Sequence, residues 1–313
     1  MKKTYALSSE DRADVAASKI LAALLEALRA NVDGVIEGAD IEYLHDLRVA
    51  NRRTRTFLSQ IKGVIPKPVV GEFAPHFKRL GALTGPCRDL DVAAFDLDRY
   101  RQQLEIDRLD LAPVQQFLEN RRGTEQLLVA SELRSATFRE FLENWARFLQ
   151  SVPGVGEEQP HVASLRVTDV AGPRILRAAK RIRKRGSGAS ADSPAALLHR
   201  LRIDGKKLRY LLEFFSDLYP PTTVAGFIND LKQFQDILGE FNDTRVQLAL
   251  IEEAMSQSAH PSVSAQKTLA AVDRLKSTMT HRQRQLRVDF GARFECFTSD
   301  ESRKRYKKTF RNH

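Results

Sequence analysis

The chain of 313 residues is long enough for two domains of ordinary size or one large duplicated domain, and its 42% of hydrophobic residues can fill substantial cores. Its 50 lysines and arginines outnumber its 40 acidic residues, and the net charge of +10 favours polyanionic partners such as nucleic acid, anionic lipid or phosphate polymers. The two cysteines, Cys87 and Cys296, lie far apart and outside any metal-binding spacing, which excludes a disulfide framework and fits a reduced, intracellular setting.

The sequence has no recognisable targeting or membrane segment. Glu10, Asp11 and Asp14 interrupt any signal-peptide core, and no apolar run approaches the length of a transmembrane helix. We therefore expect a soluble, cytoplasmic protein that does not associate with membranes.

Helical periodicity dominates the first half of the chain. Asp40 is a candidate N-cap for the second helix, and Gly85–Pro86, a strong helix breaker, predicts an end between the third and fourth helices. Six helices are predicted in this half, near residues 9–30, 40–63, 72–83, 89–104, 112–132 and 136–150.

Residues 151–166 are rich in glycine and proline and lack periodicity, so they are the predicted linker between a first helical bundle (1–150) and a second one (167–313). Strand patterns are almost absent, which predicts an all-α protein whose two tandem bundles are related by an approximate twofold and form one domain. For the basic run from Glu301 onwards, no secondary structure is predicted. Helices are predicted in the second half near residues 169–185, 194–215, 222–238, 241–257 and 263–289.

The second predicted helix carries a row of basic residues. Wound as an α-helix, four of its side chains fall at positions i, i+3, i+7 and i+10, in a stripe beside the apolar side: His45, Arg48, Arg52 and Arg55. One helix therefore offers a core-facing surface together with four hydrogen-bond donors.

The same arrangement recurs 154 residues later, in the segment from Leu198 to Phe215. Without a gap, 13 of the 49 positions from Leu44 to Val92 match their counterparts, among them Lys78 and Lys232. Because His, Arg, Lys, Pro, Gly and Asp all match in one register, we interpret the repeat as an internal duplication. The second stripe comprises His199, Arg202, Lys206 and Arg209.

The stripes could simply solvate outer helix faces, which is the commonest fate of charged residues. They lie beside the apolar side rather than opposite it, however, and they recur with histidine included, which favours a binding role. Arginine presents a planar fork of donors and lysine a point charge, at a spacing of about 5–6 Å along a helix face that suits an extended polyanion. Two facing stripes would line a basic central groove, which Lys78 and Lys232 could extend.

A third basic row has the same spacing but no basic counterpart in the first half, so the charge of any groove is expected to be asymmetric. It comprises Arg174, Arg177, Arg181 and Lys184. We predict this row, together with Arg53 and Lys207 beside the two stripes, as secondary binding positions.

Metal ligation is not expected, because no cluster of cysteine, histidine or carboxylate completes a metal site. His45 and His199 each lie beside several cations and should resist protonation until an anion arrives. The motifs GPCRDLDV and GEFNDTRV, which begin at residues 85 and 239, share a glycine and an aspartate. We favour a structural role for Asp89 and Asp243, at a helix start or in orienting a basic side chain.

These motifs resemble those of the CHAD family, the conserved histidine α-helical domain. LHDLRVANRRTRTFL and LHRLRIDGKKLRYLLEFF are similar to its two signature helices, and GPCRDLDV and LGEFNDTRV to its helix-start motifs. The resemblance spans about residues 10–290 and implies a duplicated helical protein that binds inorganic polyphosphate in a basic groove, often at polyphosphate granules. It assigns ligand binding to the eight residues of the two stripes.

One departure from the family pattern is Asp204–Gly205 inside the second signature helix, which we expect to weaken or bend that helix. Some relatives carry an adjoining triphosphatase domain with an ExExK strand, and no ExExK occurs in this sequence. The chain is therefore identified as a stand-alone member of the family.

The leading hypothesis is a non-catalytic, cofactor-free protein that binds inorganic polyphosphate. Nucleic-acid binding is the second hypothesis, weakened because few aromatic residues lie near the stripes to stack bases. The third is a phosphohydrolase that uses Asp89 and Asp91 with Mg²⁺, although Arg245 replaces the second aspartate in the second copy.

Overall fold

The computed structural model describes residues 4–151, 161–257 and 263–311, and all regular structure in these ranges is helical. The predicted all-α class is confirmed. The twelve α-helices of the described ranges are α1 (Ala13–Arg29), α2 (Val32–Glu37), α3 (Ile41–Gln60), α4 (Lys67–Gln103), α5 (Ala112–Arg134), α6 (Ala136–Ser151), α7 (His161–Ser164), α8 (Val167–Arg185), α9 (Ala195–Phe214), α10 (Pro221–Gln257), α11 (Val263–Thr298) and α12 (Asp300–Phe310).

The helix bounds repeat at the offset of 154 residues found in the sequence. Helices α3 and α9 both have 20 residues, helices α4 and α10 both have 37, and each pair begins and ends 154 positions apart. Two backbone hydrogen bonds of 2.8 Å, from Ala13 N to Leu165 O and from Val167 N to Asp11 O, are related by the same offset. A twofold axis between equivalent residues would give this reciprocal pair, which supports the interpretation as a duplication.

The predicted helix end at Gly85–Pro86 is wrong, because α4 continues through both residues. Proline in a helix interior removes one backbone donor and crowds the preceding turn. Arg48 packs against the turn before the proline, where its Nη1 donates to the carbonyl of Gly81 (3.2 Å) and to Thr84 Oγ1 (2.9 Å). The predicted break near residue 239 is also wrong, since α10 is continuous there.

One hydrophobic core extends through both halves of the chain, from Leu7 to Phe310. A second, separate cluster lies in an arm formed by the end of α4, the start of α5, the end of α10 and the start of α11. Both clusters draw residues from the two predicted bundles. Within the described ranges, no helix combines the length and the apolar character needed to cross a membrane.

The basic C-terminal run, for which no secondary structure was predicted, forms α12. Its apolar residues Tyr306 and Phe310 are buried, and the Tyr306 ring lies 4.2 Å from that of Phe227 in α10. Phe310 also packs edge-on against Tyr219, with 4.7 Å between the ring centroids. Of the predicted linker, residues 152–160 lie outside the described ranges, and 161–164 form α7. The bundle boundaries stay a prediction.

Candidate anion-binding site

The two striped helices approach each other through their basic edges. Arg52 of α3 donates from Nε to the hydroxyl of Tyr210 in α9, at 2.7 Å. A pocket of about 490 Å³ beside this contact is lined by residues of both predicted stripes, among other side chains. The stripe residues that line it are His45, Arg52, Lys206 and Arg209.

A second pocket of about 390 Å³ adjoins the first, because His45, Val49 and Arg209 line both. It adds Arg53, one of the predicted secondary residues, and Glu213. Acidic residues therefore share these walls with the cations. The first pocket is also lined by Asp96, Asp236, Glu240 and Asp243.

Arg48 of α3 and Arg202 of α9 lie against equivalent places on the two long helices α4 and α10. A Cβ at Gly85 would lie 3.7 Å from Arg48 Nη1, and one at Gly239 would lie 4.0 Å from Arg202 Nε. A methyl group at either glycine would make an ordinary van der Waals contact with the guanidinium group, so the two arginines pack beside equivalent glycines. Arg202 Nη2 also lies 3.5 Å from Asp243 Oδ1, as predicted for an aspartate that orients a basic side chain.

Partial burial changes the acid–base behaviour of this centre. Loss of hydration lowers the pKa of Arg48 to about 10, although the negative charge of Asp89 opposes the change. Loss of hydration also raises the pKa of Asp89, to which the charge of Asp243 contributes while Arg48 opposes it. The two aspartates of the repeated motifs are therefore close enough to influence each other electrostatically.

Lys206 shows the largest effect of the stripe residues. Burial, followed by the positive charges of Arg52 and Arg202, lowers its pKa to about 6, while Asp243 acts in the opposite direction. Burial and the charge of Arg88 also lower the pKa of His45. At neutral pH both groups are therefore largely uncharged, and an arriving anion would favour their protonated forms.

Several buried donors of the site make no hydrogen bond within the described part of the chain. They are Nη1 of Arg88 and the Nε atoms of Arg53, Arg202 and Arg209. Burying a charged donor without an acceptor is costly, so such groups in a native protein call for an explanation. An anionic ligand would supply the missing acceptors.

Six of the ten predicted binding positions line neither pocket: Arg48 and Arg202, described above, and His199, Arg55, Lys78 and Lys232. His199 is exposed and its Nδ1 lies 2.9 Å from Asn242 Oδ1, while Arg55 is exposed at the other end of the stripes. Lys78 and Lys232 are exposed and line neither pocket, although Lys78 precedes Gly81 by one helical turn on the face of α4 that meets α3. Their assignment as ligand-binding residues stays a prediction.

The third basic row lies against the C-terminal end of α3. Arg174 Nη2 donates to the carbonyl of Lys62 at 2.6 Å, and Arg181 Nη2 donates to Gln60 Oε1 at 3.0 Å. Both arginines thus satisfy acceptors at a helix end where cations are favoured. Arg177 and Lys184 are exposed.

Asp204 organises a further group of cations between α8 and α9. It is 4% exposed and pairs with Arg185, and Arg181 lies 4.0 Å away. Burial lowers the pKa of Lys207, and Asp204 opposes this change while Arg181, Arg185 and Arg55 add to it. Lys207 therefore belongs to this group and not to the two pockets.

The expected weakening of the second signature helix is not observed, since α9 is continuous through Asp204 and Gly205. The ion pair with Arg185 satisfies the buried carboxylate. A Cβ at Gly205 would lie 3.0 Å from Phe234 Cε1, so the glycine lets α9 pack closely on α10.

Three residues that were not predicted from the sequence, Tyr210, Glu213 and Arg88, also organise the site. The ring of Tyr210 lies 5.6–5.8 Å from three guanidinium groups, those of Arg52, Arg53 and Arg209. Glu213 contacts two of them, and its position four residues after Arg209 was a recognisable clue. Arg88 could also have been found, three residues after Gly85 on the same face of α4.

The geometry does not favour the predicted alternative of a metal held by Asp89 and Asp91. The carboxylate of Asp91 is buried and accepts a 2.6 Å hydrogen bond from Arg122. In the described ranges, no group of three or more His, Cys, Asp or Glu side chains is arranged to hold a metal ion.

The fold and the site define an all-helical protein in which cations from two similar helices surround connected pockets. The sequence model of the CHAD domain matches residues 19–252, three quarters of the chain. The chain therefore belongs to the CHAD family, and the predicted resemblance is confirmed.

Solved structures show the same fold. The crystal structure of the CHAD domain from the plant Ricinus communis is 24% identical, with a TM-score of 0.75 and coverage of 95% of each chain. PptA from Streptomyces chartreusis is 13% identical, with a TM-score of 0.68, over 91% of this chain and 100% of that one. No curated protein sequence matches the chain at a significant level.

Proposed function

We propose that this protein binds inorganic polyphosphate in the connected pockets between α3, α9 and α10, without cleaving it. The observation that carries the proposal is a group of arginines from both halves of the chain, each with a buried nitrogen atom that makes no hydrogen bond within the described ranges. Phosphate oxygens match the fork of an arginine, and a linear phosphate chain offers many of them in succession. Family membership agrees with this ligand.

A polymer suits the site better than a single small anion. The two pockets share one wall and have volumes of about 490 and 390 Å³. Together they form an elongated cavity. The cations around Asp204 lie at the opposite end of the stripes, where a long chain could continue. We place the protein in the cytoplasm, in association with polyphosphate granules.

Nucleic acid remains the second candidate ligand on the basis of net charge. Single-strand binders usually present aromatic rings on which bases stack. Tyr210, the aromatic residue between the stripes, is only 1% exposed, and its ring already faces arginines. We therefore expect long-chain polyphosphate to displace single-stranded RNA at equal phosphate concentration. Preferential retention of RNA would favour the second candidate.

The double variant Arg52→Gln plus Lys206→Gln tests the proposal, because it removes one pocket cation from each half. We expect calorimetric titration with long-chain polyphosphate to show at least about a tenfold loss of affinity, equivalent to about 1.4 kcal/mol. The matched control is Arg139→Gln plus Arg147→Gln on the exposed side of α6, which removes at least as much positive charge from the protein, because Lys206 is largely uncharged at neutral pH. Equal affinity of the two double variants, with helicity intact, would contradict the proposed site.

Absence of hydrolysis is part of the proposal and has its own measurement. Purified protein incubated with polyphosphate and Mg²⁺ should release no orthophosphate above the level of a heat-denatured sample. Release that disappears in an Asp89→Asn variant would instead support the phosphohydrolase hypothesis.

A further inference from the structure

One carboxylate bridges the two striped helices at the mouth of the smaller pocket. Glu213 Oε2 lies 3.1 Å from Arg53 Nη2 of α3, and Glu213 Oε1 lies 3.1 Å from Arg209 Nε of α9. Each oxygen therefore serves a cation from a different half of the chain. A phosphate group shared between the stripes would occupy an equivalent position.

The two guanidinium groups are also held by contacts other than Glu213. Both lie 5.6 Å from the centre of the Tyr210 ring, and Arg53 lies 5.5 Å from the ring of Phe214. The negative face of an aromatic ring attracts a cation and so offsets the repulsion between neighbouring arginines. The pair of arginines can therefore keep its place when the carboxylate leaves.

The carboxylate satisfies this pair of arginines incompletely. The Nε atoms of Arg53 and Arg209 are buried and make no hydrogen bond, although the second lies within ion-pair distance of Glu213. A phosphate group presents more acceptor oxygens than a carboxylate and can serve more of these donors. The Glu213 side chain is 24% exposed and lines the 390 Å³ pocket, so a ligand can reach it.

The opposite end of the stripes has a different arrangement. The counterpart of Glu213 in the first half is Ser59, which carries no charge. The acid near Arg55 and Lys207 is Asp204, which is almost fully buried and is paired with Arg185 of α8. An incoming anion can therefore displace Glu213, whereas Asp204 is fixed.

Resting on the proposed function, we propose that Glu213 is an internal competitor that occupies a phosphate subsite between Arg53 and Arg209 and is displaced when polyphosphate binds. Displacement costs two ion pairs, which a long chain offsets through contacts with the other stripe residues. Orthophosphate and tripolyphosphate make few such contacts. Every ligand that displaces Glu213 meets the same cost, so at a given ligand concentration Glu213 keeps short chains from binding while long chains still bind.

The test compares Glu213→Gln with the wild-type protein by calorimetric titration with tripolyphosphate and with long-chain polyphosphate. We expect the variant to bind both more tightly and by similar factors of about tenfold, the scale of two partly exposed ion pairs. Glu143→Gln is the matched control, because Glu143 is exposed on α6 and lines neither pocket. That control should leave both affinities unchanged within twofold.

Combining Glu213→Gln with Arg53→Gln tests whether Glu213 acts by competing for Arg53. If Glu213 competes for Arg53, the gain from Glu213→Gln should largely disappear when Arg53→Gln is also present. Equal or weaker binding by Glu213→Gln, with helicity intact, would overturn the competitor while leaving the proposed function in place. A gain as large in Glu143→Gln would also overturn it, as a nonspecific charge effect. Failure of both the wild type and Glu213→Gln to bind any polyphosphate would overturn the proposed function itself.

Discussion

At the scale of single residues, Lys206 is the stripe residue whose pKa is lowered most. Its pKa is lowered to about 6 by burial and then by Arg52 on α3 and Arg202 on its own helix. Asp243 on α10 opposes the change but does not cancel it. The counterpart in the first half is Arg52, which stays charged at any accessible pH. The two stripes therefore differ in their response to protons although they are alike in sequence.

This difference predicts pH-dependent binding of polyphosphate. A bound anion raises the pKa of Lys206, so affinity is greatest below pH 6, where the amine is already charged in the empty protein. Affinity should fall by up to about tenfold per pH unit above that value, until the pKa of the complex is reached. Titrations at pH 8 in buffers of different ionisation enthalpy should show uptake of a proton on binding.

The variant Lys206→Arg provides the control, because it restores the arginine found in the other stripe. It should remove most of the proton uptake and flatten the pH profile between 6 and 8. A wild-type affinity that does not change over this range would contradict the assignment of Lys206 to the ligand.

The residue scale also shows what a sequence can reveal about this site. Spacing along one helix identified His45, Arg52 and Arg209, because the phase of a helix follows directly from residue number. It could not show that Glu213 would also contact Arg53 of α3, 160 positions earlier, since that contact depends on how two helices pack. Nor could spacing show that Arg185 of α8 would neutralise Asp204. Without that ion pair, an aspartate inside the second signature helix was expected to weaken the helix.

At the scale of helices, the rule that glycine and proline end a helix failed in α4 and α10. Gly85–Pro86 ends most helices, yet α4 runs through it with Arg48 bonded to the preceding turn. Gly85 and Gly239, the glycines of the two repeated motifs, each lie beside an arginine of the neighbouring striped helix. Neither glycine marks a turn, since both helices are continuous there and a methyl group would meet the arginine only at ordinary contact distance. Amphipathic periodicity did predict the all-α class and the bounds of α3 and α9 to within a few residues, because packing in these two helices agrees with the local pattern.

Close helix packing leads to a prediction for Gly205. An added methyl group in Gly205→Ala would lie 3.0 Å from the buried ring of Phe234 and 3.4 Å from Gln235 Cγ, so the ring, which is packed on all sides, would have to shift by a few tenths of an ångström. We expect the free energy of unfolding to fall by about 1–3 kcal/mol, the usual cost of overpacking.

Gly123→Ala is the matched control, because a methyl group there meets nothing within 4 Å in the middle of α5. It should raise the free energy of unfolding by about 1 kcal/mol through helix propensity alone. Urea titrations followed by circular dichroism measure both changes. Stabilisation by Gly205→Ala would show that α9 and α10 are not tightly packed at this position.

At the scale of the whole molecule, the two predicted bundles share their stabilising contacts. The main core joins residues of α1, α3 and α4 to residues of α8, α9 and α10. The N-terminal segment crosses to the second half, where Leu7 N donates to Asp217 Oδ2 at 3.0 Å and Tyr5 donates to the carbonyl of Phe214 at 3.3 Å. A duplicated sequence does not therefore imply two units that fold separately.

We accordingly expect one cooperative unfolding transition. Trp145, the single tryptophan, is buried in α6 and reports on the first half, whereas far-ultraviolet circular dichroism reports on all helices. Because neither half can lose its fold without exposing the shared core, both probes should give the same denaturant midpoint. A Trp145→Phe plus Phe297→Trp variant moves the fluorescent probe to α11, and its fluorescence and circular dichroism midpoints should again coincide. Separate midpoints within either protein would show that the halves are independent and that the pockets between α3 and α9 can open without global unfolding.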